Sequence, residues 1–132
     1  MNISEAIKIG DNILKKSGIK SSKLDSELLM SQVFQKKRED VILNCDLKLS
    51  NKKIILYNNL IEQRKKKKRI AYIIGRKEFW KYEFEVTKNV LIPRPDTEII
   101  IEQALNLTKN KSSLKILDIG IGSGCILLSI LK

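Results

Sequence analysis

A segment near residue 120 combines one carboxylate with three regularly spaced glycines. Asp118 is followed by Gly120, Gly122 and Gly124 at alternate positions. Four of the six residues at 114–119 are apolar, which is typical of a parallel strand covered on both faces. Glycine lets the backbone turn sharply and lets a ligand approach its amide groups. The pattern predicts a strand, a ligand-binding glycine loop and a helix whose positive N-terminal end faces the ligand.

The spacing of the glycines separates the classes of nucleotide loop. A dinucleotide fingerprint needs Gly or Ala where this chain has Cys125, and the Gly-Lys-Ser/Thr of a P-loop is absent. The remaining pattern, Asp-x-Gly-x-Gly-x-Gly, resembles the first motif of S-adenosyl-L-methionine-dependent methyltransferases. That resemblance implies a cofactor site formed by Asp118, Gly120, Ile121, Gly122, Ser123 and Gly124. A tight strand-to-helix turn without a ligand is the alternative interpretation.

Other kinds of active site lack the residues they need. The chain has no histidine, so a Ser/His or Cys/His nucleophile is excluded within it. Its two cysteines, Cys45 and Cys125, are far apart and lack metal-binding spacing, so we expect free thiols in a reducing cytoplasm and no metal. There is no secretory signal pattern and no apolar run of the roughly 18 residues that a membrane span needs.

The chain is strongly basic, with 26 Lys and Arg against 15 Asp and Glu and a formal charge of +11. Such a field favours acidic partners, including nucleic acid, the ribosome or an acidic protein. The excess of lysine over arginine is equally what an A/T-rich genome produces through its codons. A continuous basic run at residues 64–69 has two interpretations: contact with an acidic partner or RNA phosphate, or a solvated helix end.

Residues 1 to about 68 have the apolar spacing of a small helical bundle. The first helix ends at Ser17-Gly18, and its apolar positions are Ile3, Ala6, Ile7, Ile13 and Leu14. The second helix begins near Ser21 or Ser22, and its apolar face is Leu24, Leu28, Leu29 and Val33. A short segment follows at 41–43. A long helix capped by Ser50 then carries Ile54, Tyr57, Leu60 and Ile61.

The pattern changes after residue 70. Aromatic and β-branched residues alternate with charged ones from Trp80 to Val86, which predicts a half-buried strand. Residues 87–89 form a turn, and 90–92 are expected to pair back as a hairpin. Asp96 or Thr97 then caps a helix that reaches Leu105.

Three stretches before the glycine loop indicate which family of methyltransferases the chain resembles. They are Ala71-Tyr72-Ile73-Ile74-Gly75, Glu78-Phe79-Trp80 and Leu91-Ile92-Pro93-Arg94-Pro95-Asp96-Thr97-Glu98. Together they resemble the linker hairpin of the release factor glutamine N5-methyltransferases, and the helical front looks like that family's substrate-docking bundle. The resemblance covers essentially the whole chain.

The resemblance implies an α+β fragment with three parts: a helical docking bundle at 1–69, a linker β-hairpin at 70–95, and the first β-α unit of a Rossmann-like class I methyltransferase domain at 96–132. The implied reaction transfers a methyl group from S-adenosyl-L-methionine to the glutamine amide of the Gly-Gly-Gln motif in peptide chain release factors. Arg94 and Thr97 would lie near the methionine end of the cofactor. The ribosome is a further expected partner; a membrane and specific DNA are not.

Two departures from the family pattern qualify this implication. Arg69 stands where the family has proline before the Ala-Tyr segment. The Asn-Pro-Pro-Tyr motif, which holds the glutamine amide in the family, is missing, so no catalytic residue is assigned and the truncated chain is expected to be inactive alone. The alternatives are a catalytically dead module that docks a release factor or the ribosome, and a ribosomal-protein glutamine or nucleobase N-methyltransferase.

Overall fold

The computed structural model describes residues 1–132, which divide into two compact units, Met1–Ile74 and Gly75–Lys132. The first unit consists of helices α1 (Ile3–Lys16), α2 (Ser22–Phe34), α3 (Arg38–Leu43), α4 (Asn51–Lys65) and α5 (Ile70–Ile74). The second contains strands β1 (Arg76–Phe79) and β2 (Tyr82–Glu85), a 3-10 turn (Pro95–Thr97), and helices α6 (Glu98–Thr108) and α7 (Cys125–Leu131). The chain is therefore helix-rich with one small antiparallel sheet. No helix is both long and apolar enough to cross a membrane.

Helix α1 has a defined capping motif at each end. At its start, the Asn2 side chain accepts a bond from the Glu5 backbone while the Glu5 carboxylate accepts one from the Asn2 backbone, forming a capping box. At its end, Gly18 adopts φ 75° and Ile19 N–H donates to the Leu14 carbonyl over 3.1 Å. This is a Schellman motif, which requires a left-handed residue that glycine supplies without strain. The predicted end of this helix at Ser17-Gly18 is confirmed.

The predicted helices enclose a single apolar core in the first unit. Its fully buried members are Ile3, Ala6, Leu14, Ile19, Leu29, Met30, Val33, Val41, Leu49, Tyr57, Leu60 and Ile61. The segment predicted at 41–43 ends α3, and the long helix predicted after Ser50 is α4. Residues 70–74, assigned by sequence to the linker, form α5 and belong to this unit.

One residue predicted in the core of α2 lies outside it. Leu29 and Val33 are buried, but Leu24 is 45% exposed, so its assignment to the apolar face is wrong. The helix instead directs inward a stripe made of Asp25, Ser26, Leu29, Met30 and Val33. Leu24 is displaced because polar residues with specific partners occupy the inner positions of the first turn.

Helices α1, α2 and α4 meet at a close polar contact. The Ser26 hydroxyl lies 2.5 Å from the Tyr57 hydroxyl and donates to the Ile7 carbonyl over 2.8 Å. Because serine has one donor, the tyrosine donates to Ser26 and the serine passes the bond on to α1. Gly10 lies beside this pair, and a Cβ placed there would come within 2.3 Å of the Tyr57 oxygen. Glycine at position 10 is what allows α1 to approach.

Two ion pairs join α2 to α4 and to α3. Arg64 Nε lies 2.6 Å from Asp25 Oδ2, and the Asp25 side chain is 4% exposed. Arg38 Nε lies 2.7 Å from Glu27 Oε2. The first pair fixes the C-terminal end of α4 beside the first turn of α2.

The second unit contains a hairpin in which β2 lies within the predicted strand at 80–86, whereas its partner strand is not the predicted one. Strand β1 pairs antiparallel with β2, with Phe79 opposite Tyr82. The predicted pairing of residues 90–92 is wrong, because the two-residue connection through Trp80 brings the preceding segment into register. Val90 instead closes a turn by donating to Thr87. The predicted alternation is confirmed by the burial of Phe84 and Val86.

Helix α6 lies where it is predicted but begins differently. Thr97 is its N-cap without a side-chain capping bond, since the preceding 3-10 turn supplies carbonyls of Pro95 and Asp96 to the Glu98 N–H. The predicted side-chain cap is therefore wrong.

The strand predicted at 114–119 does not form. These residues have no regular secondary structure, and Leu117 and Ile119 are 84% and 87% exposed. A strand is stabilised by pairing with a neighbour, and the two strands of this chain pair only with each other. Helix α7, predicted after the glycine loop, is present.

Substitution of Gly10 by alanine tests the close contact in the bundle. In an ordinary helix interior this change stabilises by about 0.5–1 kcal/mol. Here the added methyl group meets Tyr57 and Ser26, so we expect a loss of about 1–3 kcal/mol in the free energy of unfolding. Urea denaturation measures the sign, with exposed Asn12→Ala on the same helix as the control. A stabilised Gly10→Ala protein would show that α1 is not held this closely.

Burial of Tyr57 predicts a loss of stability in alkali. Burial raises the pKa of Tyr57 from 10.0 to about 12. Between these values the unfolded chain has lost a proton that the folded chain keeps, so stability is full below pH 10 and falls as the pH rises toward 12. We expect Tyr57 to contribute a slope of about −1.4 kcal/mol per pH unit in that window. Urea unfolding from pH 8 to 11 should show a steeper fall in wild type than in Tyr57→Phe; parallel curves would contradict the assignment.

Candidate functional site

The glycine loop owes its shape to three left-handed residues. Gly120, Gly122 and Gly124 have φ values of 80°, 57° and 75°. For residues with a Cβ this region costs about 1–2 kcal/mol each. Gly124 N–H donates to the Ile121 carbonyl over 2.8 Å, and the Gly124 carbonyl accepts from Leu128 as α7 begins. The alternate glycines recognised in the sequence are therefore each required by the backbone.

The surroundings of the glycines differ along the loop. A Cβ at Gly120 would meet no atom within 4 Å, and one at Gly122 only a carbonyl oxygen at 3.8 Å. A Cβ at Gly124 would lie 3.2 Å from Leu128 in α7. The first two glycines thus leave open space over the backbone, whereas the third also packs against the helix.

Asp118 places a carboxylate oxygen without a partner at the entrance to this loop. Its Oδ2 is buried and accepts no hydrogen bond from the protein. A buried polar atom left unpaired costs about 1–3 kcal/mol, so the arrangement favours an additional donor. The carboxylate and the open backbone together fit a ligand that carries hydroxyl or ammonium groups.

The loop is held by a small apolar cluster behind α7. Cys125, the first residue of α7, is buried with Ile101 of α6 and with Phe79 and Phe84 of the hairpin. The two phenylalanine rings meet edge-to-face with centroids 6.2 Å apart. Helix α6 and the hairpin thereby fix the position at which the glycine loop enters α7.

A contact that the sequence does not predict attaches the hairpin turn to α6. Trp80 has φ 57°, and its backbone N–H donates to Glu98 Oε1 over 2.8 Å. The sequence offers only an acidic residue in the first turn of α6, a position that by itself favours the helix and does not indicate a contact with the hairpin. Ser129 was also missed: its hydroxyl is buried in α7 and has no hydrogen-bond partner.

The other two predicted site residues lie just before α6. Arg94 is exposed, and its carbonyl accepts from the Thr97 N–H over 3.1 Å. Thr97 is half-buried, one turn before the buried Ile101. No hydrogen bond or ion pair joins either side chain to residues 118–124. The structure brings Asp118 and the glycines together in one loop but leaves Arg94 and Thr97 without a contact to it.

The cysteine and acidic side chains outside this loop form no metal-binding group. Cys45 and Cys125 are free thiols, and no group of three His, Cys, Asp or Glu side chains could hold a metal ion.

Comparison with known proteins extends these observations. Residues 5–75 match the sequence family described as the PrmC N-terminal domain. The release factor glutamine methyltransferase of Buchnera aphidicola subsp. Baizongia pistaciae is 42% identical over 130 residues, covering 98% of this chain and 47% of that protein. The protein of the same name from Clostridium botulinum is 42% identical over 117 residues, covering 89% and 41%. A bifunctional methyltransferase of Rickettsia felis is 36% identical over 157 residues, covering 98% and 30%.

The chain thus spans about half the length of the curated relatives it matches, or less. The matched family covers the helical unit, while the pairwise similarity to the Buchnera and Rickettsia proteins extends over 98% of the chain.

Proposed function

Because this chain belongs to the release factor glutamine methyltransferase family, we propose that it takes part in methylating a peptide chain release factor. The methyl group comes from S-adenosyl-L-methionine, and the acceptor is the side-chain amide nitrogen of the glutamine in a Gly-Gly-Gln motif. The observation that carries the proposal is the set of three left-handed glycines at alternate positions, which begins two residues after Asp118. We assign the protein to the cytoplasm, where release factors act.

The loop suits this cofactor chemically. S-adenosyl-L-methionine carries ribose hydroxyls and an ammonium group, both of which can donate to the unpaired Oδ2 of Asp118. The space over Gly120 and Gly122 lets such a ligand lie against the backbone. We assign residues 120–124 and Asp118 to cofactor binding, with Arg94 and Thr97 as further residues on the methionine side.

The wider fold of the site is part of the proposal. Leu117 and Ile119 are exposed in this chain although the largely apolar segment 114–119 is of the kind found in a strand covered on both faces. We propose that residues 114–119 form the first strand of a Rossmann-like class I methyltransferase sheet when neighbouring strands pair with them.

The division of labour follows from which residues are present. When bound, the cofactor supplies an electrophilic methyl group. An amide nitrogen is a weak nucleophile, so the glutamine must be held in line with that methyl group. The family's Asn-Pro-Pro-Tyr motif performs this task and does not occur in this sequence. We therefore assign cofactor holding to the second unit and assign no catalytic residue among those described here.

The helical unit is assigned to docking of the release factor. It has a closed core of its own, and the family match falls on it. Docking by this unit requires no cofactor, so binding of the release factor and binding of the cofactor are separable in this chain.

A matched pair of glycine substitutions tests the cofactor site. Gly120 and Gly18 both have left-handed φ values, 80° and 75°, and neither has an atom within 4 Å of the added Cβ. Alanine therefore introduces similar strain at both places. We expect Gly120→Ala to weaken S-adenosyl-L-methionine binding by about fivefold to thirtyfold, and Gly18→Ala to change it less than twofold. Saturation-transfer difference NMR measures both, since it detects weak binding.

Two readouts complete this experiment. Gly18→Ala should lower the melting temperature of the helical unit, which shows that the strain was introduced. Both variants should still be retained on immobilised release factor. Unchanged cofactor binding by Gly120→Ala, or no saturation transfer to millimolar cofactor with the wild-type chain, would contradict the proposed site.

A further inference from the structure

The positive charge of the protein is concentrated in the helical unit. Residues 1–74 contain 17 Lys and Arg against 8 Asp and Glu, a net charge of +9, whereas residues 75–132 contribute +2. The excess is therefore a property of one compact unit and creates a local field there.

The fold gathers half of these cations at one end of the unit. Lys15 and Lys16 close α1, and Lys20 and Lys23 lie at the turn into α2. The 2.6 Å contact between Arg64 and Asp25 brings the end of α4 to the same place, followed by the basic residues 65–69. All nine of these side chains are exposed. We call this set the basic end. Its residues are far apart in the sequence and are brought together by the packing of the helices.

The carboxylates nearest to the basic end already have partners. Asp25 binds Arg64 and accepts from Ser21, and Asp11 accepts from Ser22 over 2.6 Å. Glu62 lies 3.2 Å from Lys65. The side chains of Lys66, Lys67 and Arg69 make no hydrogen bond or ion pair within the protein. The positive charge of these three residues is therefore directed to solvent.

Stabilisation of helix ends explains only part of this arrangement. Cations favour the last turn of a helix, and the effect falls off beyond it. Helix α4 ends at Lys65, so residues 66–69 lie outside the turn where this benefit applies. Lys67 also has φ 62°, a conformation that glycine adopts without strain. A lysine thus occupies a position at which the backbone conformation favours glycine.

The composition of the basic end favours nucleic acid over protein. Residues 15–23 and 64–69 present no exposed apolar or aromatic side chain, and Leu24, which follows Lys23, is a single exposed apolar residue rather than a patch. Protein interfaces are built on aromatic and apolar anchors and are depleted in lysine. Binding to single strands relies on aromatic stacking, which is also missing. Clustered lysines without anchors suit the phosphates of a duplex, each acting as a point charge.

We propose that the basic end binds an RNA double helix through its phosphate backbone, without reading the base sequence. The choice of RNA over DNA rests on the proposed function, because the release factors to be modified act in translation. The phosphate contacts themselves rest on the geometry of the basic end.

Fluorescence anisotropy of the full chain with a labelled RNA hairpin tests the proposal, without release factor or cofactor. The variant Lys66→Gln/Lys67→Gln/Arg69→Gln removes three unpaired charges. The control Lys36→Gln/Lys48→Gln/Lys52→Gln removes three exposed charges near the opposite end of the unit. We expect the first variant to bind about tenfold more weakly at 0.1 M salt and to lose about 2–3 from the log–log salt slope. The control should change affinity less than twofold.

Lys67→Gly separates binding from a structural role. Glycine relieves the left-handed strain, so the melting temperature should rise while RNA affinity falls by about twofold to fivefold. A structural role alone predicts the rise without the fall. Equal losses in the two triple variants, or no RNA binding, would overturn the basic end as a site. Equal binding of polyglutamate would overturn the assignment to nucleic-acid phosphates, and failure of a DNA hairpin of the same sequence to bind would contradict contacts made through phosphates alone. None of these results bears on cofactor binding.

Discussion

The hydroxyl of Tyr57 is the polar group around which the helical unit is organised. It is buried among apolar side chains, where an unpaired hydroxyl would cost about 1–3 kcal/mol. Ser26 satisfies it, Ile7 satisfies Ser26, and Gly10 provides the space in which three helices can meet. This contact sets the packing of α1, α2 and α4 against one another.

The directions of the helices then decide what their ends present. The start of α4 lies beside the start of α1, because Leu49 N–H donates to the Met1 carbonyl. Its end lies beside the first turn of α2 through Arg64 and Asp25. Lysines from separate parts of the sequence are therefore collected at one end. The helix packing around the Tyr57 hydroxyl therefore also determines which charged side chains meet at the basic end.

Local signals in the sequence predicted the elements that depend on local physics. The stop at Gly18 and the glycine loop at 120–124 were predictable, since each needs a left-handed backbone that only glycine adopts freely. Pairing was not predictable: alternation located the β2 strand, but the two-residue turn at Trp80 selected its partner. The strand at 114–119 failed for a similar reason, because pairing needs a neighbour that composition cannot reveal. The prediction that Leu24 is buried was wrong because polar residues occupy the inner positions of the first turn of α2.

The central claim is that S-adenosyl-L-methionine binds at the glycine loop. Ultraviolet cross-linking with the methyl-labelled cofactor, followed by trypsin digestion and mass spectrometry, locates the bound ligand directly. Trypsin releases the loop and α7 together as residues 116–132, because no Lys or Arg lies between Lys115 and Lys132. The account expects label in this peptide, reduced by unlabelled S-adenosylhomocysteine. Label confined to peptides of residues 1–74, or insensitive to the competitor, would contradict it.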